Sequence, residues 1–188
     1  MSSDSTSNPD FAPFNRVHMP YCDGNSFSGN ADEPVLVNGT QGPKKLWFRG
    51  RRNIDATFRA LNKLGLDAAE NVLLTGCSAG GLATYLHTDY VATLLPKTVK
   101  KFKSAPISGF FLLHDNVEGK PVYPTQMKNI FELANSTHGV NAKCIASKAP
   151  ADQWRCNFAQ EAYASTESPI FPLNSALDSW QTACKSLT

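Results

Sequence analysis

No apolar run in this 188-residue chain approaches the length of about 20 residues needed to cross a bilayer. Charge is sparse as well: 18 Lys and Arg face 16 Asp and Glu, a net +2. That excess is too small for a surface built to neutralise phosphates, so nucleic acid is excluded as a partner. The one basic cluster, Lys100-Lys101-Phe102-Lys103, reads as a solvated strand edge beside the apolar sequence that follows. Cysteine occurs five times, at Cys22, Cys77, Cys144, Cys156 and Cys184, but no pair has C-x-x-C spacing. Neither a zinc site nor a thioredoxin-type redox site is predicted, and no other metal or organic cofactor is implied. The first ten residues, MSSDSTSNPD, are polar and lack the apolar core of a signal peptide. Internal repeats and low-complexity tracts are also missing. What is present, 41% hydrophobic and 18% charged residues, is the composition of a globular domain with one core.

The chain is organised around Asn71–His87, NVLLTGCSAGGLATYLH. Val72, Leu73 and Leu74 form a short apolar run suited to a buried strand. Gly76-Cys77-Ser78-Ala79-Gly80 matches G-x-S-x-G, and Leu82, Tyr85, Leu86 and Tyr90 then recur at helical spacing. Strand, tight glycine-flanked turn and helix is the setting of a nucleophile elbow, with Ser78 at its apex. Gly76, Gly80 and Gly81 are expected where strand and helix backbones approach too closely for side chains. The helix begins just after Ser78, so the Ala79 N–H and the positive dipole end face a developing oxyanion. The plainer reading is an ordinary strand-to-helix turn with Ser78 as its local cap.

The segment GCSAGGLATYLHTDYV resembles the nucleophile region of the pectin acetylesterase/Notum family of carboxylesterases. Four further segments agree in the same order: FNRVHMPYCDGNSFSGN (14–30), LWFRGRRN (46–53), SGFFL (108–112) and SPIFPLNSALDSWQ (168–181). The resemblance implies an α/β-hydrolase fold, a serine esterase without cofactor, and pairing of Cys144 with Cys156. It also places the loop after Tyr21 near the active site. Where the family usually carries D-A-G-F-F-L-D, this chain has Ile107-Ser108-Gly109-Phe110-Phe111-Leu112-Leu113, so both acidic positions are apolar. A disulfide fits a secreted protein. The sequons Asn38-Gly39-Thr40 and Asn135-Ser136-Thr137 agree with that.

Read in order, residues 1–13 form a flexible lead-in, and 14–188 a partial esterase domain. Arg16–Met19 is a candidate strand entering the turn-rich segment 21–29, where Asp23 and Ser26 form either a second polar site or local loop bonds. Residues 34–40 read as a strand and turn, and 46–49 as another strand. Ile54, Phe58, Leu61 and Leu64 predict a helix stopped by Gly65. Val99–Phe102 is the next candidate strand, Val122–Ala134 a helix, Asn135–Pro150 a loop, and Pro169–Leu173 a late strand in which Pro172 marks either an edge or a strand end. The fold class is therefore α/β: a mostly parallel sheet flanked by helices, α/β-hydrolase-like and incomplete at both ends.

In α/β-hydrolases the triad runs serine, acid, histidine along the chain. Ser78 takes the first place. Asp178, after the late strand, fits the second place or, in the bland alternative, is an aspartate capping the Trp180 segment; the resemblance, in which it matches the family's catalytic acid within NSALDSWQ, implies the catalytic position. All four histidines, His18, His87, His114 and His138, precede Asp178. His87 lies nine residues into the helix and points away from the turn. His114 and His138 sit in apparent loops and are candidate bases, since chain order does not bind geometry. The resembled family also carries a G-G-G-W-C-type oxyanion loop upstream of YCDG and a later histidine, neither of which is in these 188 residues. Cys77, beside the apex, reads as a buried structural thiol or a disulfide member.

Together these features predict a secreted or cell-wall carboxylic ester hydrolase that works through an acyl-serine. The resemblance implies an acetyl ester on a pectin-type polysaccharide or a fatty acyl ester on a protein, and the chain is expected to be a fragment. The alternative is a shortened, non-catalytic relative that binds glycan or a protein partner.

Overall fold

The structure, a computed structural model, describes residues 2–40 and 42–186, and for 183–186 the backbone alone. Three parallel strands and one central helix position the site. β1 (Val35–Gly39) and β2 (Gly42–Leu46) form a separate antiparallel hairpin. α1 (Gly50–Lys63) follows, then β3 (Asn71–Cys77) and α2 (Ala79–Leu94). β4 (Lys101–Ile107) pairs with β3 in parallel, from Asn71 opposite Lys101 to Cys77 opposite Ile107. Residues 169–173 lie on the other side of β4, bridged in parallel at Ser104–Ile170 and Ile107–Leu173.

This third pairing is interrupted for a chemical reason. The Ser104 and Ser108 amides donate to Pro169 and Leu173 carbonyls, while Pro106 between them has no N–H to give. Phe171 and Leu173 donate back to Ser104 and Pro106, which leaves the ring nitrogen of Pro172 on the outer side. That is the edge position expected for a strand proline. β4 is therefore the middle strand. The lysines were expected on a strand edge; instead Lys101 and Lys103 are exposed on the sheet's open face.

α2 is buried over most of its circumference because two clusters meet on it. Leu82, Tyr85 and Leu86 pack with Phe111, Phe131 and Phe158, while Ala83 and Val91 pack with Ile54 and Phe58 of α1. Each large side chain fully buried in this way contributes roughly 1.5–3 kcal/mol. Leu74 and Phe102 join the second cluster, so alternation puts Leu73 and Lys103 on the opposite face. On that face Ile107, Phe171 and Leu173 are 37%, 68% and 44% exposed. Among the described residues α2 covers one face of the sheet and no helix covers the other, whereas parallel sheets are ordinarily covered on both.

Several boundaries differ from expectation. Arg16–Met19 is irregular. β2 ends at Leu46, and residues 47–49 leave the hairpin because Phe48 is buried with Ala31 and Ala134 and its carbonyl accepts the Ala31 amide. α1 buries Ile54 and Phe58, but Leu64 caps it from outside and is 80% exposed. Gly65 follows with φ +108°, the left-handed stop predicted. β4 starts at Lys101, since Val99 is tied in a turn to Pro96. α3 (Val122–Leu133) matches its prediction. The segment 135–150, expected to be a loop, holds a 3₁₀ turn at Ser136–His138 and α4 (Ala142–Ala146), whose first amides bond Asn141 Oδ1. A 3₁₀ stretch (Pro150–Asn157), α5 (Ala159–Ala164) and α6 (Ser179–Ser186) complete the chain. Cys144 and Cys156 are joined as a disulfide.

Candidate active site

Ser78 alone separates β3 from α2, and it holds φ +57°, ψ −122°. Non-glycine residues avoid this region, at a cost of about 1–3 kcal/mol. The surroundings enforce it. The Ser78 amide donates to the Ile107 carbonyl of β4 at 2.9 Å, and its own carbonyl accepts the Leu82 amide at 3.0 Å to open α2. A Cβ on Gly76 would meet the Gly80 carbonyl oxygen at 2.3 Å, and one on Gly81 the Ile107 oxygen at 2.4 Å. Gly80 differs from expectation: its own Cβ would enter open space, so it serves by letting Gly76 approach its backbone. Ser78 is exposed, and Ala79 is the first residue of α2, so its N–H has no acceptor within the helix. A serine hydroxyl held in the open beside a free helix amide has the layout for attack on a carbonyl whose oxygen needs a donor.

Three loops leave the same end of the sheet: the Ser78 turn after β3, 108–113 after β4, and 174–178 after the third strand. Side-chain amides tie them together. Asn174 Oδ1 accepts the Phe110 amide at 3.1 Å. Gln181 spans two groups, accepting from Leu112 N and donating to Phe110 O, each at 3.1 Å. Gln160 Oε1 accepts from Leu113 N at 3.1 Å. Trp180 meets Phe111 and Tyr123 edge-on, with centroids 5.0 and 5.5 Å apart. Of the two positions that are acidic in the resembled family, half-exposed Ile107 anchors Ser78 and Leu113 packs on the main cluster.

Asp178 lies on this same edge, half-buried. Its Oδ1 accepts the Gln181 amide at 2.9 Å, capping α6 as the bland alternative had it. No described side chain bonds its Oδ2. None of the four histidines is hydrogen-bonded to Ser78 or Asp178 among the described residues. His87 is 2% exposed; its Nε2 lies 2.9 Å from the Ser26 carbonyl, and burial pushes its pKa down to about 4. Burial thus favours the neutral imidazole, and its ring is engaged with Ser26 rather than with Ser78. His18, His114 and His138 are exposed.

The loop after Tyr21 turns out to be a structural keystone. The buried Asp23 carboxylate accepts the amides of Asn25, Phe27, Gly29 and Gly50, at 3.0 to 3.1 Å. The last of these opens α1, where a carboxylate is favoured. Asn25, Ser28, Ser136 and Asn157 form a buried hydrogen-bonded ring that joins this loop to the disulfide region. Sequence reasoning missed the amides of Asn174, Gln160 and Gln181. The NSALDSWQ segment contained two of them, but only its aspartate was weighed. Cys77 was expected to be buried or bridged; it is free and exposed on the open face of the sheet, as is Cys22 at the surface. The side chain of Cys184 lies outside the described residues.

A family model described as Pectinacetylesterase matches residues 1–187. The chain belongs to the pectinacetylesterase family. Pectin acetylesterase 5 of Arabidopsis thaliana is 37% identical over 181 residues, covering 96% of this chain and 40% of the relative. Human palmitoleoyl-protein carboxylesterase NOTUM is 27% identical over 191 residues, covering 96% of this chain and 37% of that protein. The solved structure of the Wnt deacylase Notum from Drosophila superposes with a TM-score of 0.84 at 23% identity, over 98% of this chain and 53% of that one. The fold is thus α/β-hydrolase-like, and the named relatives of this pectinacetylesterase-family chain are carboxylesterases. The chain spans about 40% of the length of the curated relatives it matches.

Proposed function

We infer that residues 14–188 are part of a serine carboxylesterase in which Ser78 is the nucleophile, with 1–13 as its lead-in. The backbone of Ser78 carries this reading: a strained, exposed serine between a parallel strand and a buried helix is costly to hold for any other purpose. Ser78 Oγ attacks the ester carbonyl while an imidazole takes its proton. The Ala79 N–H donates to the oxyanion, and the carbonyl collapses to an acyl-serine as the alcohol leaves with that proton. Water, deprotonated by the same imidazole, then releases the acid. Asp178, with one carboxylate oxygen not engaged by any described side chain, orients the imidazole. The imidazole and the second oxyanion donor come from sequence beyond these 188 residues, in keeping with the share of the relatives that the chain spans.

The substrate we favour is an acetyl ester on a pectin-type polysaccharide. The identity to Arabidopsis pectin acetylesterase 5, at 37%, exceeds that to human NOTUM, at 27%, which makes a fatty acyl ester on a protein the second choice. The disulfide between Cys144 and Cys156 supports an extracellular or cell-wall location. The absence of any described bond from an imidazole to Ser78 favours one other reading, a non-catalytic binder of glycan or protein. Release of acetate from acetylated pectin by a longer form of the protein, lost in Ser78→Ala, separates them. A folded longer form that binds pectin without releasing acetate would establish the binder.

A further inference from the structure

We propose that Asn135 carries an N-linked glycan whose first sugar seats in the groove beside it. Two separate observations converge on this residue. It opens the sequon Asn135-Ser136-Thr137, and it lines an open groove of about 280 Å³ together with Thr137, Trp154, Gln153 and Lys128. Asn135 is exposed, at φ +50°, where the chain turns from α3 into the Ser136–His138 turn. The central residue of the sequon faces the other way: Ser136 is fully buried and bonded to Asn25 and Ser28, which fixes the Asn135 side outward. Trp154 is half-buried, its ring braced edge-on by Phe158, and its indole N–H has no partner among the described residues. An indole presents an apolar face to the C–H side of a pyranose and one donor at its edge. Gln153 and Lys128 add amide and ammonium groups for sugar hydroxyls. The wall that carries Trp154 belongs to the stretch 150–157, stapled by Cys144–Cys156, and that bond forms in the compartments where N-glycosylation occurs. In the modifying step the Asn135 side-chain nitrogen bonds the anomeric carbon of a lipid-diphosphate oligosaccharide. The carbon–oxygen bond to the diphosphate breaks, and the amide proton passes to a base of the host transferase. The sequon at Asn38 lies in the exposed β1–β2 hairpin and serves as a comparison.

The test is secretion of the full chain from eukaryotic cells behind a cleavable leader, followed by glycopeptide mapping and timed release by a peptide-N-glycosidase on native protein. Asn135 is expected to be occupied. Release there is expected to be about five-fold slower than in Trp154→Ala, the factor that one aromatic contact supplies. Lys128→Ala, which alters only an exposed side chain, is expected to speed release in the same direction. Folded protein with a bare Asn135 overturns the site, and equal release from all three proteins overturns the seat.

Discussion

At the scale of single residues, Ser78 and His87 hold states that cost free energy and show it in different ways. Ser78 occupies a backbone region that glycine tolerates and serine does not. Ser78→Gly is therefore expected to raise unfolding free energy by roughly 1 kcal/mol in urea titrations while abolishing reaction at that position. A loss of stability would mean that the serine side chain itself supports the turn. His87 is buried and neutral; desolvation holds its pKa near 4, against an ordinary 6.5, outweighing the raising effect of its bond to Ser26. The unfolded chain binds the proton more readily between those two values, so stability rises with pH there. The contribution is complete above about pH 6.5, declines as pH falls, and is lost below about pH 4, to an extent of about 3 kcal/mol. His87→Gln, which keeps a donor for Ser26, is expected to flatten that part of the stability–pH curve. A curve of unchanged slope would place the titration elsewhere.

At the scale of elements, the three strand-end loops are held by side chains rather than by sheet pairing. Gln181→Ala removes two bonds to the backbone of 110–112 and is expected to cost about 1–3 kcal/mol in unfolding free energy. A Gln181→Ala protein as stable as the parent would show that the aromatic packing of Trp180 suffices. This scale is also where the sequence was most and least readable. α1, α3 and the β3–turn–α2 unit announced themselves because apolar residues recur at helical spacing or crowd into one strand. α4 did not, because five residues make little more than one turn and its only mark is the Asn141 cap. Residues 46–49 looked like a strand because three of them are apolar, yet Phe48 is buried against Ala31 and Ala134, a contact that no local pattern records. Asp178 was legible as a position but not as a partner, since an acid's role depends on a histidine that these residues do not bring to it.

At the scale of the whole molecule, a three-stranded parallel sheet is covered by α2 on one face and exposes Ile107, Phe171 and Leu173 on the other. Parallel sheets are ordinarily buried on both faces, and this chain spans about 40% of the length of the curated relatives it matches. In enzymes of the proposed chemistry, removal of any one triad member lowers turnover by about 10⁴-fold or more, which is the loss expected for Ser78→Ala in acetate-release assays. The proposed function requires Ser78 to be an activated nucleophile. Reaction of a folded longer form with a fluorophosphonate probe, mapped by mass spectrometry, tests it most directly. A single adduct on Ser78, lost in Ser78→Ala, is the expected result; a folded protein that carries no adduct on Ser78 would overturn its role as nucleophile.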